Sequence, residues 1–352
     1  MVPIEVQQWR QNVILTRDLD IHTDRAQFFA RARKGEFTAL FRGVWVPTPL
    51  WISLSRAEQY ELRVKAAAAV DPEATFSHES AAVLWRLPMV GAWSVRIQTL
   101  AEELRGGRSN AMFQRHAAGV PLEFECIQGI RVTSLARTVV DIARSLPFGV
   151  AVTMTDAALR CSAHPAPGAP PVSLSQQSLL EELQFIPMRH GTAKARAVIE
   201  FASGLADRPG ESMSRVSMRR ARIPAPELQV RLRGASGKTY FVDFFWREVN
   251  IIGEFDGAAK YRDPEFLRGR TPHAALLDEK WREDDLRAAG HGMSRWGWDV
   301  ATSPDRLRAQ LSAAGVCRNA AEVATPAAFT NPRAVVVAAR RSVDDAEQQV
   351  TG

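Results

Sequence analysis

Three acidic residues in the C-terminal third of this 352-residue chain carry the strongest chemical signal in the sequence. Glu254 and Asp256 lie two residues apart on a predicted strand, Asn250 to Asp256, so both carboxylates share one face. Asp243 lies near the end of the preceding predicted strand and can reach the same place. Carboxylate oxygens suit Mg²⁺ or Mn²⁺, and such an ion clamps phosphate and activates water. The pattern predicts a metal site that acts on phosphate esters.

A second interpretation of the same acids remains open. They can end their strands and pair with Arg282 or Arg295 in a fold that has no catalytic activity. Perturbed carboxylates in ion-pair networks serve structural roles as well as catalytic ones.

The elements around the acids form a consistent order. A helix beginning at Gly210 ends before Pro224, and strands at Glu227 to Arg233 and Tyr240 to Phe245 flank the turn sequence GASGK. A charged helix, Asp278 to Ala289, follows the third strand, and GHGMSRWGWDV supplies a fourth strand. The predicted order is therefore αβββαβ over residues 208–315.

Basic residues favour a nucleic-acid partner. Lysine and arginine number 45 against 39 acidic residues, a net charge of +6, and only six of the 45 are lysines. Arginine forks suit phosphate recognition. Two windows, 25–42 and 208–222, each carry a local charge of +4. The candidate DNA-binding residues are Arg25, Arg31, Arg33, Lys34, Arg42, Arg215 and Arg219.

The N-terminal segment, residues 1–62, has the outline of a winged helix-turn-helix. Thr16 to Leu19 is predicted as a short helical turn, and a second helix runs from Asp24 to Lys34. Strands at Phe37 to Leu40 and Val44 to Val46 then enclose a turn at Arg42-Gly43. This helix and hairpin can lie along a DNA groove, or they can form an ordinary solvated basic surface.

Residues 63–161 alternate helices and short strands, which predicts a small mixed α/β domain. His78 and His116 lack partners at metal-ligand spacing, so we expect structural roles for both. Residues 162–207 form a Pro-rich linker with helices, and residues 316–352 a tail that we expect to be disordered. The whole chain is thus an α+β or α/β multidomain protein.

Other features narrow the class of protein. The apolar runs are far shorter than a membrane-spanning helix, and no apolar signal core begins the chain, so we expect a cytoplasmic protein with no membrane partner. Three scattered cysteines predict reduced, buried thiols. Trp246, Trp281, Trp296 and Trp298 can stack on bases, but their strand and helix spacing favours the core.

Residues 7–160 resemble actinobacterial proteins related to antitoxins of the abortive-infection (AbiEi) kind, from type IV toxin–antitoxin systems. The resemblance lies in ILTRDLD, RARKGEFTALFRGVWVP, SHESAAVLWRLP and GIRVTSLARTVVDIAR, with TDAALR after them. It implies a winged-helix DNA-binding head followed by a small domain, and a cognate toxin or regulatory partner.

Residues 208–312 resemble the PD-(D/E)XK nuclease superfamily, in its branch related to very-short-patch mismatch repair endonucleases. The resemblance lies in VDFFW, IIGEFDGAAKY and EKWREDDLRAAGHGMSRW. It implies that Asp243 and Glu254 hold the metal, that Asp256 is an added ligand, and that Glu211 joins the metal or orients it. Glu279 and Arg282 would then support the site.

The superfamily pattern has a lysine two residues after its second acid, where this chain has Asp256. Lys260, at a position where related proteins often have histidine, and Lys280 on the next helix are the candidate replacements. Such a lysine would stabilise developing negative charge or position the nucleophilic water.

Two functions follow from these patterns. One is a DNA-binding endonuclease that uses Mg²⁺ or Mn²⁺ to hydrolyse phosphodiester bonds. The other is a catalytically inactive transcriptional regulator or antitoxin whose nuclease-like domain serves for binding. Three acids favour the first function, and the missing lysine favours the second.

Overall fold

The computed structural model describes residues 8–20, 24–101, 109–119, 123–163, 173–187, 190–257 and 271–317. Their contacts divide the chain into two compact units, unit 1 from Met1 to Val216 and unit 2 from Ser217 to Gly352. Helices and several β-sheets occur in the described residues, which confirms the expected mixture of α and β structure.

Unit 1 begins with a small helix-and-sheet region. Its elements are α1 (Gln8–Asn12), β1 (Ile14–Leu15), α2 (Asp24–Arg33), β2 (Phe37–Phe41) and β3 (Val44–Pro47). The three strands form an antiparallel sheet in the order β1-β3-β2. Residues 16–19 form turns and bends, so the helical turn predicted there is wrong.

The β2–β3 turn packs closely against residue 16, and α2 packs against the hairpin. Gly43 turns the β2–β3 hairpin at φ +79°, and a Cβ there would lie 2.9 Å from Thr16 Oγ1. Phe28 of α2 is buried and packs against the rings of Phe37 and Trp45. The predicted helix and hairpin are therefore both present and packed on each other.

A long helix links this region to the rest of unit 1. Helix α3 (Thr48–Ser53) leads into α4 (Arg56–Val70). A capping box begins α4: Ser55 Oγ accepts a hydrogen bond from the Glu58 amide, and Glu58 Oε2 accepts one from the Ser55 amide. Val64 and Ala66 of α4 are fully buried.

The remainder of unit 1 is a five-stranded mixed sheet with helices. The strands, in the order β6-β5-β4-β8-β7, are β4 (Thr75–Phe76), β5 (Ile97–Ala101), β6 (Phe113–Ala117), β7 (Glu125–Ile127) and β8 (Ile130–Val132). The helices are α5 (His78–Leu84), α6 (Leu135–Ser145), α7 (Phe148–Ala163), α8 (Gln176–Phe185) and α9 (Thr192–Phe201). Leu179 of α8 and Ile199 of α9 are fully buried, so these two helices belong to the packed interior of unit 1.

The boundary between the units falls within α10 (Pro209–Arg220). Unit 2 continues with β9 (Glu227–Arg233), β10 (Thr239–Trp246), a 3₁₀ turn (Arg247–Val249), β11 (Ile251–Phe255), α11 (Pro272–Ala288), β12 (Gly292–Trp296), α12 (Trp298–Ala301) and α13 (Pro304–Ala313). Among the described residues these elements follow the predicted order αβββαβ, and α12 and α13 come after it. Strand order is β12-β11-β10-β9, and only the β11–β12 pair is parallel.

The sheet of unit 2 buries apolar side chains on both faces. Phe244, Trp246 and Trp296 pack on one face with α13 through Leu307 and Leu311. The opposite face packs Val242, Phe245 and Ile252 against Leu286 of α11. Helix α11 therefore covers the face on which the acidic residues are expected.

Glycine at position 253 is required by the packing of the two indoles. A Cβ at Gly253 would lie 2.7 Å from a ring carbon of Trp296 and 2.9 Å from one of Trp246. Strand β11 can therefore pack against the two indoles only because residue 253 has no side chain.

The cysteines, the apolar character of the helices and the C-terminal tail were also subjects of prediction. Cys126 and Cys161 are exposed and Cys317 is half-buried, so the prediction of buried thiols is wrong. In the described part of the chain, no helix is long and apolar enough to cross a membrane. Most of the predicted tail, from residue 318 onward, lies outside the described residues.

Candidate acidic site of the C-terminal unit

Asp243 and Glu254 lie side by side on neighbouring strands. The antiparallel register pairs Phe244 with Gly253 and Phe245 with Ile252. Continuing that register by one residue places Asp243 opposite Glu254. Directly opposed residues project from the same face of a sheet. The two acids therefore share the α11 face, as the sequence predicts.

A local irregularity lies in the β9–β10 pair next to Asp243. Val242 and Phe245, three residues apart, both belong to the α11-side core, although strict alternation would separate them. Gln229, which the register places opposite Asp243, adopts the left-handed region at φ +50°. Asp243 Oδ2 accepts a hydrogen bond of 2.9 Å from the Phe255 amide, which fixes the carboxylate beside the end of β11.

Glu254 is buried and electrostatically strained. The residue is 3% exposed. Burial, followed by the nearby charge of Asp243, raises the pKa of Glu254 to about 7, against the opposing effect of Arg282. Both causes disfavour the charged carboxylate. A cation placed between the two acids would reverse this effect.

Arg282 supplies a positive charge at this position. Its Nη2 donates to Glu254 Oε1 at 2.6 Å and to the Phe241 carbonyl at 2.8 Å, and its Nη1 donates to Glu279 Oε1 at 2.9 Å. Burial alone would lower the pKa of Arg282, but the carboxylates of Glu254 and Glu279 raise it. Arg282 is thus a charged bridge from the acid pair to α11.

The ion pairs extend beyond Arg282. Arg295 stands beside Glu254 in the parallel β11–β12 register and pairs with Glu279, while its Nε lies 3.3 Å from Glu283 Oε2. The residues of α11 that face the sheet are Glu279, Arg282, Glu283 and Leu286, at the i, i+3, i+4, i+7 spacing of one helix face. That spacing is the signal in the sequence that could have added Glu283 to this network.

The other predicted site residues have different positions. Asp256 lies just beyond the end of β11, where strand alternation no longer fixes its direction, and its amide donates to the Trp296 carbonyl. Among the described residues, no group of three or more His, Cys, Asp or Glu side chains is arranged to hold a metal ion. The prediction that three acids converge is therefore wrong for the described residues. Two of the three, Asp243 and Glu254, do lie together.

The predicted Glu211 and the two predicted lysines are not among the residues that contact this pair in the described part of unit 2. Glu211 belongs to unit 1, where it is buried in the first turn of α10 and accepts a hydrogen bond from the Asp207 amide. Lys260 lies outside the described residues. Lys280 is exposed on α11 and does not belong to the helix face that meets Glu254.

The two acids fit a magnesium or manganese ion by the chemistry of their donors. Mg²⁺ is usually held by one or two carboxylates together with waters and substrate phosphates, without a complete protein cage. Asp243 and Glu254 supply two hard oxygen donors, and one of the two side chains is almost completely buried. Both residues would hold such an ion.

The predicted DNA-binding residues separate into exposed and buried members. Arg31, Arg33, Lys34 and Arg42 are exposed on α2 and the β2–β3 turn, Arg25 is half-buried, and Arg219 is exposed near the end of α10. Arg31 pairs with Glu36 at 2.7 Å, which neutralises part of the local charge.

Arg215 does not face solvent. It is 5% exposed and its Nη1 lies 2.8 Å from Asp156 Oδ2, while its Nη2 donates to the Phe201 carbonyl. Asp156 itself is 1% exposed. The prediction that Arg215 contacts DNA is wrong because the side chain closes a buried ion pair inside unit 1.

The four tryptophans of unit 2 also divide into buried and exposed residues. Trp246 and Trp296 are buried in the core of unit 2, as expected. Trp281 is 65% exposed and Trp298 is 41% exposed, so the expectation of a core position is wrong for both. Trp281 lies on α11 next to Arg282.

Comparisons with known proteins give sequence relatives but no activity. No protein-family model matches the chain, and no solved structure matches it. Two uncharacterized proteins of Mycobacterium tuberculosis, from strains CDC 1551 / Oshkosh and ATCC 25618 / H37Rv, are each 31% identical over 187 residues. Each match covers 53% of this chain and 62% of the relative, so the chain spans less than two thirds of the length of these curated relatives.

Proposed function

We propose that this chain is a DNA-binding protein whose C-terminal unit hydrolyses DNA phosphodiester bonds with the help of Mg²⁺ or Mn²⁺. The observation that carries the proposal is the pair of acids, Asp243 and Glu254, held on one face of the sheet with Glu254 almost completely buried. A PD-(D/E)XK fold for unit 2, a winged helix at the N-terminus and a cytoplasmic location belong to the same proposal.

The proposed chemistry divides between the metal and the protein. When bound, a divalent ion would act as a Lewis acid on the phosphate and make the attacking water more acidic. Asp243 and Glu254 would hold this ion, and the hydrogen bond from the Phe255 amide keeps the Asp243 carboxylate in place. Arg282 and Arg295 supply the positive charge that an approaching phosphodiester requires.

DNA is the proposed substrate because of the charges on unit 1. Exposed basic side chains on α2 and on the β2–β3 turn can bind phosphates without reading the base sequence. The resulting local concentration of DNA would serve the hydrolytic site.

An inactive regulator or antitoxin is the second candidate, and one observation favours it. Arg282 already neutralises Glu254 across 2.6 Å, which is the arrangement expected of a structural ion pair. In that case unit 2 would bind DNA or a partner such as a cognate toxin without cleaving DNA.

A plasmid-nicking assay separates the two candidates. Wild-type protein with supercoiled DNA and Mg²⁺ or Mn²⁺ should produce nicked or linear product that EDTA prevents. Asp243→Asn and Glu254→Gln should remove the activity, while Asp284→Asn makes the same carboxylate-to-amide change at an exposed position of α11 and should retain most of it. DNA binding without cleavage by wild type would favour the regulator.

A further inference from the structure

Arg282 contacts the same carboxylate that the proposed metal needs. Its Nη2 is 2.6 Å from Glu254 Oε1, and the side chains are 17% and 5% exposed. A divalent ion bound to Glu254 and the guanidinium carry charges of the same sign, so full contact of both with one carboxylate is electrostatically unfavourable. Metal binding therefore has to weaken or displace this ion pair.

The structure gives Arg282 a second carboxylate partner. Nη1 donates to Glu279 Oε1 at 2.9 Å, from a residue three positions earlier on the same helix, and Nη2 also donates to the Phe241 carbonyl. Neither contact involves Asp243 or Glu254. If Arg282 leaves Glu254, it keeps a carboxylate partner and does not become an uncompensated buried charge.

We infer that Arg282 is a built-in counter-ion that competes with the divalent metal for Glu254 and is retained by Glu279 when the metal binds. The inference rests on the proposed function, since it concerns the regulation of that same site. Arg282 then has two effects of opposite direction. It stabilises the metal-free protein, and it lowers the affinity of the acid pair for metal.

Metal affinity in the full-length protein tests this assignment. Isothermal titration with MnCl₂ alone, without DNA, should show Arg282→Met binding Mn²⁺ at least about tenfold more tightly than wild type, the lower end of the range for one lost hydrogen bond to a charged group. The same variant should unfold at a lower temperature in EDTA and gain more in Tm when Mn²⁺ is added.

The control must separate competition from the general loss of a positive charge. Arg287→Met removes a guanidinium from the same helix, where it is exposed and pairs with Glu283. This control should leave Mn²⁺ affinity close to wild type. If Arg282→Met fails to fold by circular dichroism, Arg282→Lys keeps the charge but lacks the planar fork that reaches Glu254 and Glu279 together, and it should bind Mn²⁺ several-fold more tightly.

A second variant should have the opposite effect. Glu279→Gln removes the alternative carboxylate, so Arg282 should hold Glu254 more firmly and Mn²⁺ affinity should fall several-fold. Asp284→Asn makes the same change in charge at an exposed position of α11 and should have a smaller effect.

The possible outcomes distinguish the two proposals. If wild type binds Mn²⁺ but Arg282→Met binds it equally or less tightly, Arg282 does not compete and this inference alone is overturned. If wild type binds no Mn²⁺ and cleaves no DNA, the proposed function fails and the inference fails with it. Tighter binding by Arg282→Met together with weaker binding by Glu279→Gln supports both.

Discussion

Replacing His78 by Asn should make unit 1 less sensitive to acid. The His78 ring stacks on that of His116 with 3.9 Å between centroids, and its Nδ1 lies 3.0 Å from Ser77 Oγ. Asn is a suitable replacement because His78 has φ +49°, a left-handed conformation that Asn tolerates better than most residues.

The magnitude follows from the burial of the imidazole. Burial, followed by the charges of Arg137 and Arg144, lowers the pKa of His78 to about 3. In the unfolded chain the same group titrates near 6.5. As the pH falls below about 6.5, the unfolded chain takes up a proton that the folded protein refuses, so stability decreases by up to about 1.4 kcal/mol per pH unit. The loss ends near the folded pKa.

At pH 5 His78 alone should therefore account for about 2 kcal/mol of lost stability relative to neutral pH. Burial also lowers the pKa of His116, to about 4, and its partial exposure makes its contribution smaller. Buried Glu79 and Asp141 have raised pKa values and act in the opposite direction. Comparing the variant with wild type at each pH largely cancels those carboxylates.

Hydrogen exchange of α5 and β5, measured by mass spectrometry from pH 7.5 to 5.0 and corrected for intrinsic rates, reports the stability of unit 1 directly. The protection free energy of wild type should fall more steeply than that of His78→Asn. His291→Asn, in unit 2, is the matched control and should not change the slope in unit 1. Parallel slopes for wild type and His78→Asn would refute the reasoning.

Three further predictions concern stability and DNA affinity. Arg215→Met should destabilise unit 1 by about 3–5 kcal/mol in urea denaturation, because Asp156 is left buried without its ion-pair partner; a loss below about 1 kcal/mol would contradict this. Gly253→Ala should cost unit 2 about 1–3 kcal/mol, since the new methyl group meets the Trp296 indole at 2.7 Å, and an unchanged Tm would argue against the packing described. Replacing Arg31, Arg33 and Arg42 together by Ala should make the slope of log K against log salt shallower by about 2–3 in DNA anisotropy titrations. An unchanged slope would exclude these three arginines from the DNA interface.

Local patterns predicted the elements of unit 2 well. The turn sequence between two alternating apolar runs gave the β9–β10 hairpin, and the apolar third strand placed Asp243 and Glu254 on adjacent strands. The shared face was also predicted, whereas the irregularity at Gln229, opposite Asp243, leaves no local signal in the sequence. Asp256 was misplaced because β11 ends at Phe255, one residue earlier than the alternation required.

Long-range pairing explains most of the remaining errors. Arg215 looks like one more basic residue on a charged helix, and its partner Asp156 lies 59 positions away in the sequence. Trp281 has the spacing of a core residue, but Arg282 and Leu286 occupy the face of α11 that meets the sheet. The ion pair between Arg282 and Glu254 was one of two interpretations, and only the structure could show that it forms.

Single-turnover cleavage by Glu254→Gln at saturating DNA tests the central claim most directly, because saturation removes any difference in DNA affinity. With Mg²⁺ or Mn²⁺, wild type should cleave at a measurable rate. Glu254→Gln should be slower by about a hundredfold or more while anisotropy shows the same DNA affinity, since the carboxylate holds the metal and the arginines hold the phosphates. Equal cleavage rates for the two proteins, or DNA binding by wild type without cleavage under either metal, would contradict the assignment of Asp243 and Glu254 as a hydrolytic site.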